Sequence, residues 1–232
     1  MIYPYIDSTY ILVIIGIVIS LAASARVKST FAKYARVRSM SGLTGAQVAQ
    51  RLLQSSGIYD VQIEHVRGNL TDHYDPRNKV LRLSDTVYGQ SSLAAVGVAA
   101  HECGHAIQHQ HSYVPLQLRS ALVPVANFGS MAAWAIILVG LFLGGSPPLI
   151  NIGIILFTAA VLFQIITLPV ELNASKRAIT RLGETKILYD EELRQSKKVL
   201  NAAALTYVAA AAASILQLLR LFILFGGGRN RD

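Results

Sequence analysis

The sequence predicts a mainly α-helical integral membrane protein, with four transmembrane helices and a small α+β domain outside the bilayer. Three observations carry that reading. Of 232 residues, 53% are hydrophobic and only 15% charged, where a soluble domain carries nearer a quarter charged residues. The charges are also unevenly placed. No Asp, Glu, Lys or Arg occurs in the 51 residues between Arg119 and Glu171, in the 21 between Lys198 and Arg220, or in the 18 from Ser8 to Ala25. Uncharged apolar stretches of about 18 residues can cross a hydrocarbon core of roughly 30 Å. Together these exclude a soluble globule and a disordered tail, and the single cysteine, Cys103, excludes a disulfide scaffold.

Each span has its own boundary signals. The first is Tyr10 to Ala25, extended backwards by Ile2 to Ser8. No Lys or Arg precedes its apolar run and basic residues follow it, so it reads as a retained anchor rather than a cleavable signal peptide. The second, Leu122 to Leu143, and the third, Leu149 to Val170, are joined by the tight turn Gly144-Gly145-Ser146-Pro147-Pro148. The fourth, Ala202 to Leu219, is Ala-rich and ends at Arg220. The expected organisation is therefore a first transmembrane helix in 1–25, a folded domain in 26–119, a transmembrane hairpin in 120–170, a further helix in 171–201, the last transmembrane helix in 202–225 and a tail in 226–232.

Net charge is +8 with a pI near 9.7. No Arg-rich repeat or aromatic-interleaved basic patch appears, so the excess does not point to nucleic acid. It fits Lys and Arg gathered on the cytoplasmic side of a membrane. Arg26, Lys28, Lys33, Arg36 and Arg38 follow span one, and Lys176, Arg177, Arg181, Lys186, Arg194, Lys197 and Lys198 lie between spans three and four. Only Arg229 and Arg231 oppose the trend. The expected orientation puts the N-terminus outside, and 26–119 and 171–201 in the cytoplasm.

The 26–119 segment carries the signals of a small domain. Thr44 is a fitting N-cap for a helix through Leu53, with Gly57 its stop. Val61 to Val66 alternates apolar and polar, as a half-buried strand does. Asp75-Pro76-Arg77-Asn78 is a turn, followed by a strand from Lys79 to Leu83. From Ser91 an Ala/Val-rich helix leads into the residues that carry chemistry.

Those residues are His101-Glu102-Cys103-Gly104-His105. Side chains four apart share a helix face, so His101 and His105 suit one zinc ion. Glu102 points elsewhere, towards a water whose pKa the metal lowers, and is placed as general base. A catalytic zinc takes a third protein ligand, for which His109, His111, Glu171 and the Asp72-His73-Tyr74-Asp75 cluster are candidates. His101, His105 and His109 along one helix span about 12 Å at 1.5 Å per residue, too far for one ion. Glu171 is the only acid between Glu102 and Glu184. The hairpin of spans two and three returns it to the side where the motif lies, at a boundary where an unpaired carboxylate is costly. The expected ligands are His101, His105 and Glu171.

The chain resembles the YugP-like bacterial membrane zinc metallopeptidases, akin in mechanism to the HtpX and CAAX prenyl protease group. The likeness covers most of the chain. It is carried by His101-Glu102-Cys103-Gly104-His105-Ala106-Ile107-Gln108-His109, by Asp72-His73-Tyr74-Asp75-Pro76 and by Pro169-Val170-Glu171-Leu172-Asn173-Ala174-Ser175. It implies a zincin-like domain around the motif helix, Zn2+ as cofactor, a peptide or protein substrate, and Glu171 as third ligand. Where the HtpX pattern has an Asp four residues after the ligand to orient a histidine, this chain has Ser175, so that task falls to Ser175 or Asn173.

Around the metal, a peptidase holds its substrate as an added strand on a sheet edge. Asn69-Leu70-Thr71, running into Asp72-His73-Tyr74, is the expected edge. Tyr74, His73 or Arg177 is placed to donate to a developing oxyanion, while Asp72 and Asp75 equally fit turn formation. Cys103 reads as packing and His65 as structural. The function expected is hydrolysis of membrane or membrane-proximal proteins at the cytoplasmic face of a bacterial membrane. Alternatives are a non-catalytic metal-binding scaffold or transporter component, and an intramembrane site-2-type protease. The latter draws its third ligand from an Asp-Gly segment, and this chain contains no Asp-Gly. The small residues of spans two and four also suit self-association or a regulatory membrane partner.

Overall fold

The computed structural model describes residues 7–226. The backward extension of span one over residues 2–6, and the tail beyond residue 226 with Arg229 and Arg231, lie outside the described residues. Of the described residues 72% are helical, and they include one small sheet. In order it forms α1 (Tyr10–Ala35), α2 (Gly45–Ser55), β1 (Gln62–Val66), β2 (His73–Asp75), β3 (Val80–Ser84), α3 (Leu93–Gln110), α4 (Val114–Phe142), α5 (Pro147–Glu184) and α6 (Asp190–Phe225). These residues divide into two compact units.

The first unit comprises the described parts of residues 1–23, 118–168 and 206–232. α1, α5 and α6 are each long and apolar enough to cross a membrane, and α4 is a fourth span if its two arms count as one. Those arms, Val114–Pro124 and Ala126–Phe142, meet at 42°. Pro124 has no N–H to give the preceding turn, so the helix bends there. α4 and α5 are joined by a tight turn. Both Gly145 and Ser146 donate from their backbone N–H to the Gly140 carbonyl, and Gly144 and Gly145 adopt positive φ to close the turn. Ala133, Ile137, Ile150, Ile154, Phe157, Val161 and Leu221 pack into one cluster. Ile14, Val18, Leu21 and Phe128 face outward, an apolar surface that suits lipid rather than water.

The second unit comprises 24–117 and 169–205. Thr44 closes a reciprocal cap on α2: its hydroxyl accepts from Gln47 N–H, and the Gln47 side chain accepts from Thr44 N–H. The sheet has order β1-β3-β2, with β1 parallel and β2 antiparallel to β3, so β2 is an edge. Leu52, Leu81, Leu83, Leu93, Val96, Ala99 and Leu182 form its core, all with essentially no exposed surface. α3 is buried along nearly its whole length.

Helix lengths differ from expectation. α1 continues ten residues past Ala25, α5 runs unbroken through Glu171 to Glu184, and α6 starts at Asp190 instead of 202. Residues 26–35, 171–184 and 190–201 contain no Pro, and only Gly183 as a glycine. Nothing local stops the helices where the charges begin. Asp190, Glu191 and Glu192 favour a start for α6 by placing negative charge in its first turn.

The expected edge strand is also displaced. Asn69, Leu70 and Thr71 are not in a strand; the edge is His73–Asp75. Leu70 has φ of 56°, which an extended strand does not allow. Asp72 instead fastens the loop, accepting from the Ser84 N–H and hydroxyl. Asp75 accepts from Arg77 and Asn78 N–H, as a turn former does.

Candidate metal centre

α3 carries His101, Glu102 and His105, while α5 carries Glu171. The centre therefore depends on how closely the two helices approach. Gly104 lies at the crossing, and a Cβ placed there would stand 2.4 Å from the Ala174 carbonyl oxygen. Only a residue without a side chain permits that spacing. Ala174 is itself fully buried, and the turn of α5 around it delivers Glu171, Asn173 and Ser175.

Both imidazoles present Nε2 to one carboxylate oxygen. Glu171 Oε2 is 3.2 Å from His101 Nε2 and 3.4 Å from His105 Nε2. One ligand atom from each of the three residues lies within 4.8 Å of the others. Two ligands bonded at about 2.1 Å to a tetrahedral ion stand roughly 3.4 Å apart. The observed separations fit that spacing, and two imidazoles with a carboxylate are a donor set zinc takes.

Hydrogen bonds behind the rings fix what they offer. Gln108 Nε2 donates to the Val170 carbonyl at 2.8 Å and to Asn173 Oδ1 at 3.0 Å. A backbone carbonyl only accepts, so the amide orientation is settled and Oε1 faces His105 Nδ1, at 3.0 Å. Nδ1 must then carry the hydrogen, and a neutral His105 turns its Nε2 lone pair to the Glu171 carboxylate. Two acceptors at that distance repel unless a cation or proton lies between them. His101 Nδ1 is held by Ser175 Oγ at 3.1 Å.

Glu102 is buried but does not join this cluster. Burial pushes its carboxyl up to about 7; Glu171 and Asp72 push the same way, while His101 and the Tyr74 N–H partly oppose it. A carboxyl near neutrality can both take and return a proton at working pH. Cys103, the next residue, is buried in the core with its thiol pushed far up by desolvation. Packing is its role, as expected, because a thiol that resists ionisation is inert.

The family described as "Putative neutral zinc metallopeptidase" matches residues 9–226. The chain belongs to this family. A relative named "Putative membrane protease YugP", from Bacillus subtilis (strain 168), is 51% identical over 221 residues, spanning 95% of this chain and 98% of the relative. No solved structure matches the chain. The resemblance drawn from the motifs is thus borne out, and the chain is a membrane protein of this metallopeptidase family.

The other residues singled out in this metallopeptidase chain have definite places. Tyr74 is on β2, with its hydroxyl 2.9 Å from His109 Nδ1. Burial pushes that hydroxyl up to about 12, so it stays protonated. His73 Nδ1 is 2.9 Å from the Thr71 carbonyl. Arg177 is committed to Asn173 Oδ1 at 2.8 Å and lies over the Tyr113 ring. His65 does find a partner, Asp85 at 2.7 Å. Gln108 is the residue that sequence reasoning missed. Its signal was the spacing: three residues after His105 places it on the same helix face.

Proposed function

We propose that this protein is a zinc-dependent endopeptidase of the cytoplasmic membrane, with His101, His105 and Glu171 as metal ligands and Glu102 as general base. The observation that carries the reading is the convergence of two imidazole Nε2 atoms on one buried carboxylate oxygen, at separations of 3.2 and 3.4 Å. Zinc, when bound, supplies Lewis-acid polarisation and lowers the pKa of a water. Glu102 accepts the proton released as the carbonyl is attacked, and delivers it to the departing amine. Its burial supports that task, since an ordinary carboxylate is too weak a base near neutrality.

The substrate is a membrane or membrane-proximal protein, cut at the cytoplasmic face, with the chain crossing the bilayer four times and its N-terminus outside. Two features support this. The Lys and Arg residues concentrate in 26–38 and 176–198. The ligand Glu171 directly follows the apolar run ending at Val170. β2, the sheet edge beside α3, is the surface on which an extended substrate pairs.

The test uses the full chain reconstituted in liposomes with a fluorescently labelled single-span membrane protein. Cleavage is expected with zinc, to cease with a chelator that strips the metal, and to return on adding zinc. Cleavage that continues in metal-free protein, or a zinc-loaded protein that cuts no polypeptide, contradicts the proposal.

A further inference from the structure

Resting on that zinc reading, we propose that Gln108, Asn173 and Arg177 form a positioning chain for His105, holding it in the tautomer that leaves Nε2 free for the metal. None of the three reaches the cluster of ligand atoms, and each is tied by a bond whose direction is fixed. Gln108 is completely buried. Its Oε1 faces His105 Nδ1, and its Nε2 donates to both the Val170 carbonyl and Asn173 Oδ1. Asn173 Oδ1 also accepts from Arg177 Nε at 2.8 Å.

Direction and charge make these contacts a chain. A guanidinium has donors and no acceptor, so Arg177 Nε can only donate in this bond. Asn173 Oδ1 is thereby held as an acceptor, which keeps the Gln108 amide hydrogen pointed at it. Gln108 Oε1 is left with one partner, the Nδ1 hydrogen of His105. Bonds in series polarise one another, so accepting from His105 strengthens the donation by Nε2. The far end is anchored as well: the Arg177 guanidinium lies 5.8 Å over the Tyr113 ring, and Tyr113 N–H donates to the Gln108 carbonyl at 2.9 Å. The turn that ends α3 and the outer face of α5 are thus tied back to the histidine. His101 has a separate support, Ser175, so the two ligands are held by independent routes.

Zinc affinity, measured by competition with a chelating dye on purified full-length protein, is the first readout. Gln108→Met keeps the side-chain length but removes both donor and acceptor, and affinity is expected to fall about 10- to 100-fold. Asn173→Leu is expected to weaken binding in the same direction, whereas Asn173→Asp, whose oxygen still accepts from both neighbours, stays within about threefold. The second readout is the tautomer of His105 in metal-free protein, from histidine ring nitrogen-15 shifts. Nδ1–H is expected in the unaltered chain and a mixture in Gln108→Met, which a purely structural role does not produce. If Gln108→Met does not fold, the Asn173 pair carries the same test. Tight zinc binding by the unaltered chain together with undiminished binding by Gln108→Met, or equal losses in Asn173→Asp and Asn173→Leu, overturns the positioning role alone. An unaltered chain that binds no zinc overturns the metal reading with it.

Discussion

Gly104→Ala is expected to abolish zinc binding at micromolar metal and with it all proteolysis, although the substitution adds a single methyl and touches no ligand. The added Cβ would sit 2.4 Å from the Ala174 carbonyl oxygen and 3.1 Å from the Ala174 Cα. Both are backbone atoms of a buried helix, so no side chain can swing away. α3 and α5 must separate instead, and overpacking of this kind costs about 1–3 kcal/mol. The functional cost is larger, because metal bonds tolerate errors of only about 0.2 Å. Glu171 and Ser175 flank Ala174 in α5 and move with it, withdrawing a ligand and the support of His101 together. Metal analysis and thermal unfolding of Gly104→Ala check this against Gly89→Ala, where nothing lies within 4 Å of the added Cβ. A Gly104→Ala protein that binds zinc as well as the Gly89→Ala control shows that the crossing is not what sets the ligand geometry.

Glu102→Gln separates metal binding from chemistry and also changes the response to pH. Zinc content is expected to stay at the unaltered level, since Glu102 lies outside the ligand cluster. Cleavage is expected to fall by about 10²- to 10⁴-fold, the usual worth of a positioned general base. The metal-free proteins differ in stability as well. Burial raises the folded carboxyl from 4.5 to about 7. Between those values the folded chain holds a proton that the unfolded chain has released. Stability from this group therefore falls as pH rises through that window, and is not recovered above it. Gln has no such proton. Metal-free Glu102→Gln is thus expected to be more stable than the unaltered chain at pH 8, by on the order of 3 kcal/mol, with the gain vanishing near pH 4. Thermal unfolding of both metal-free proteins at pH 4, 6 and 8 measures it. Equal melting temperatures throughout contradict the buried-carboxyl account, and undiminished cleavage by the Gln variant contradicts the general-base role.

Much of the centre was legible in the chain because charge is scarce there. With no acid between Glu102 and Glu184 other than Glu171, and with a hairpin between them, few alternatives were available for the third donor. Capping chemistry likewise gave α2 its start at Thr44, and period-two alternation gave β1 almost residue for residue. Helix ends were less legible. The apolar run that marks a span stops at Ala25 and at Val170, but backbone hydrogen bonding continues until a breaker intervenes, and none does. The true edge strand, only three residues long, was obscured because its boundary is set by the left-handed Leu70 and by Asp72 bonding across to Ser84. Gln108 stayed hidden because its partners, the Val170 carbonyl and Asn173, are 62 and 65 residues away. They become neighbours only once Gly104 lets α5 approach.

The most direct test of the centre is a zinc titration of the purified chain beside Glu171→Ala. One tightly bound ion per unaltered chain is predicted, with affinity lowered at least about a hundredfold in the variant, a loss beyond that of an orienting residue. Full affinity in Glu171→Ala would remove this carboxylate from the metal and leave the meeting of α3 and α5 without the role assigned to it.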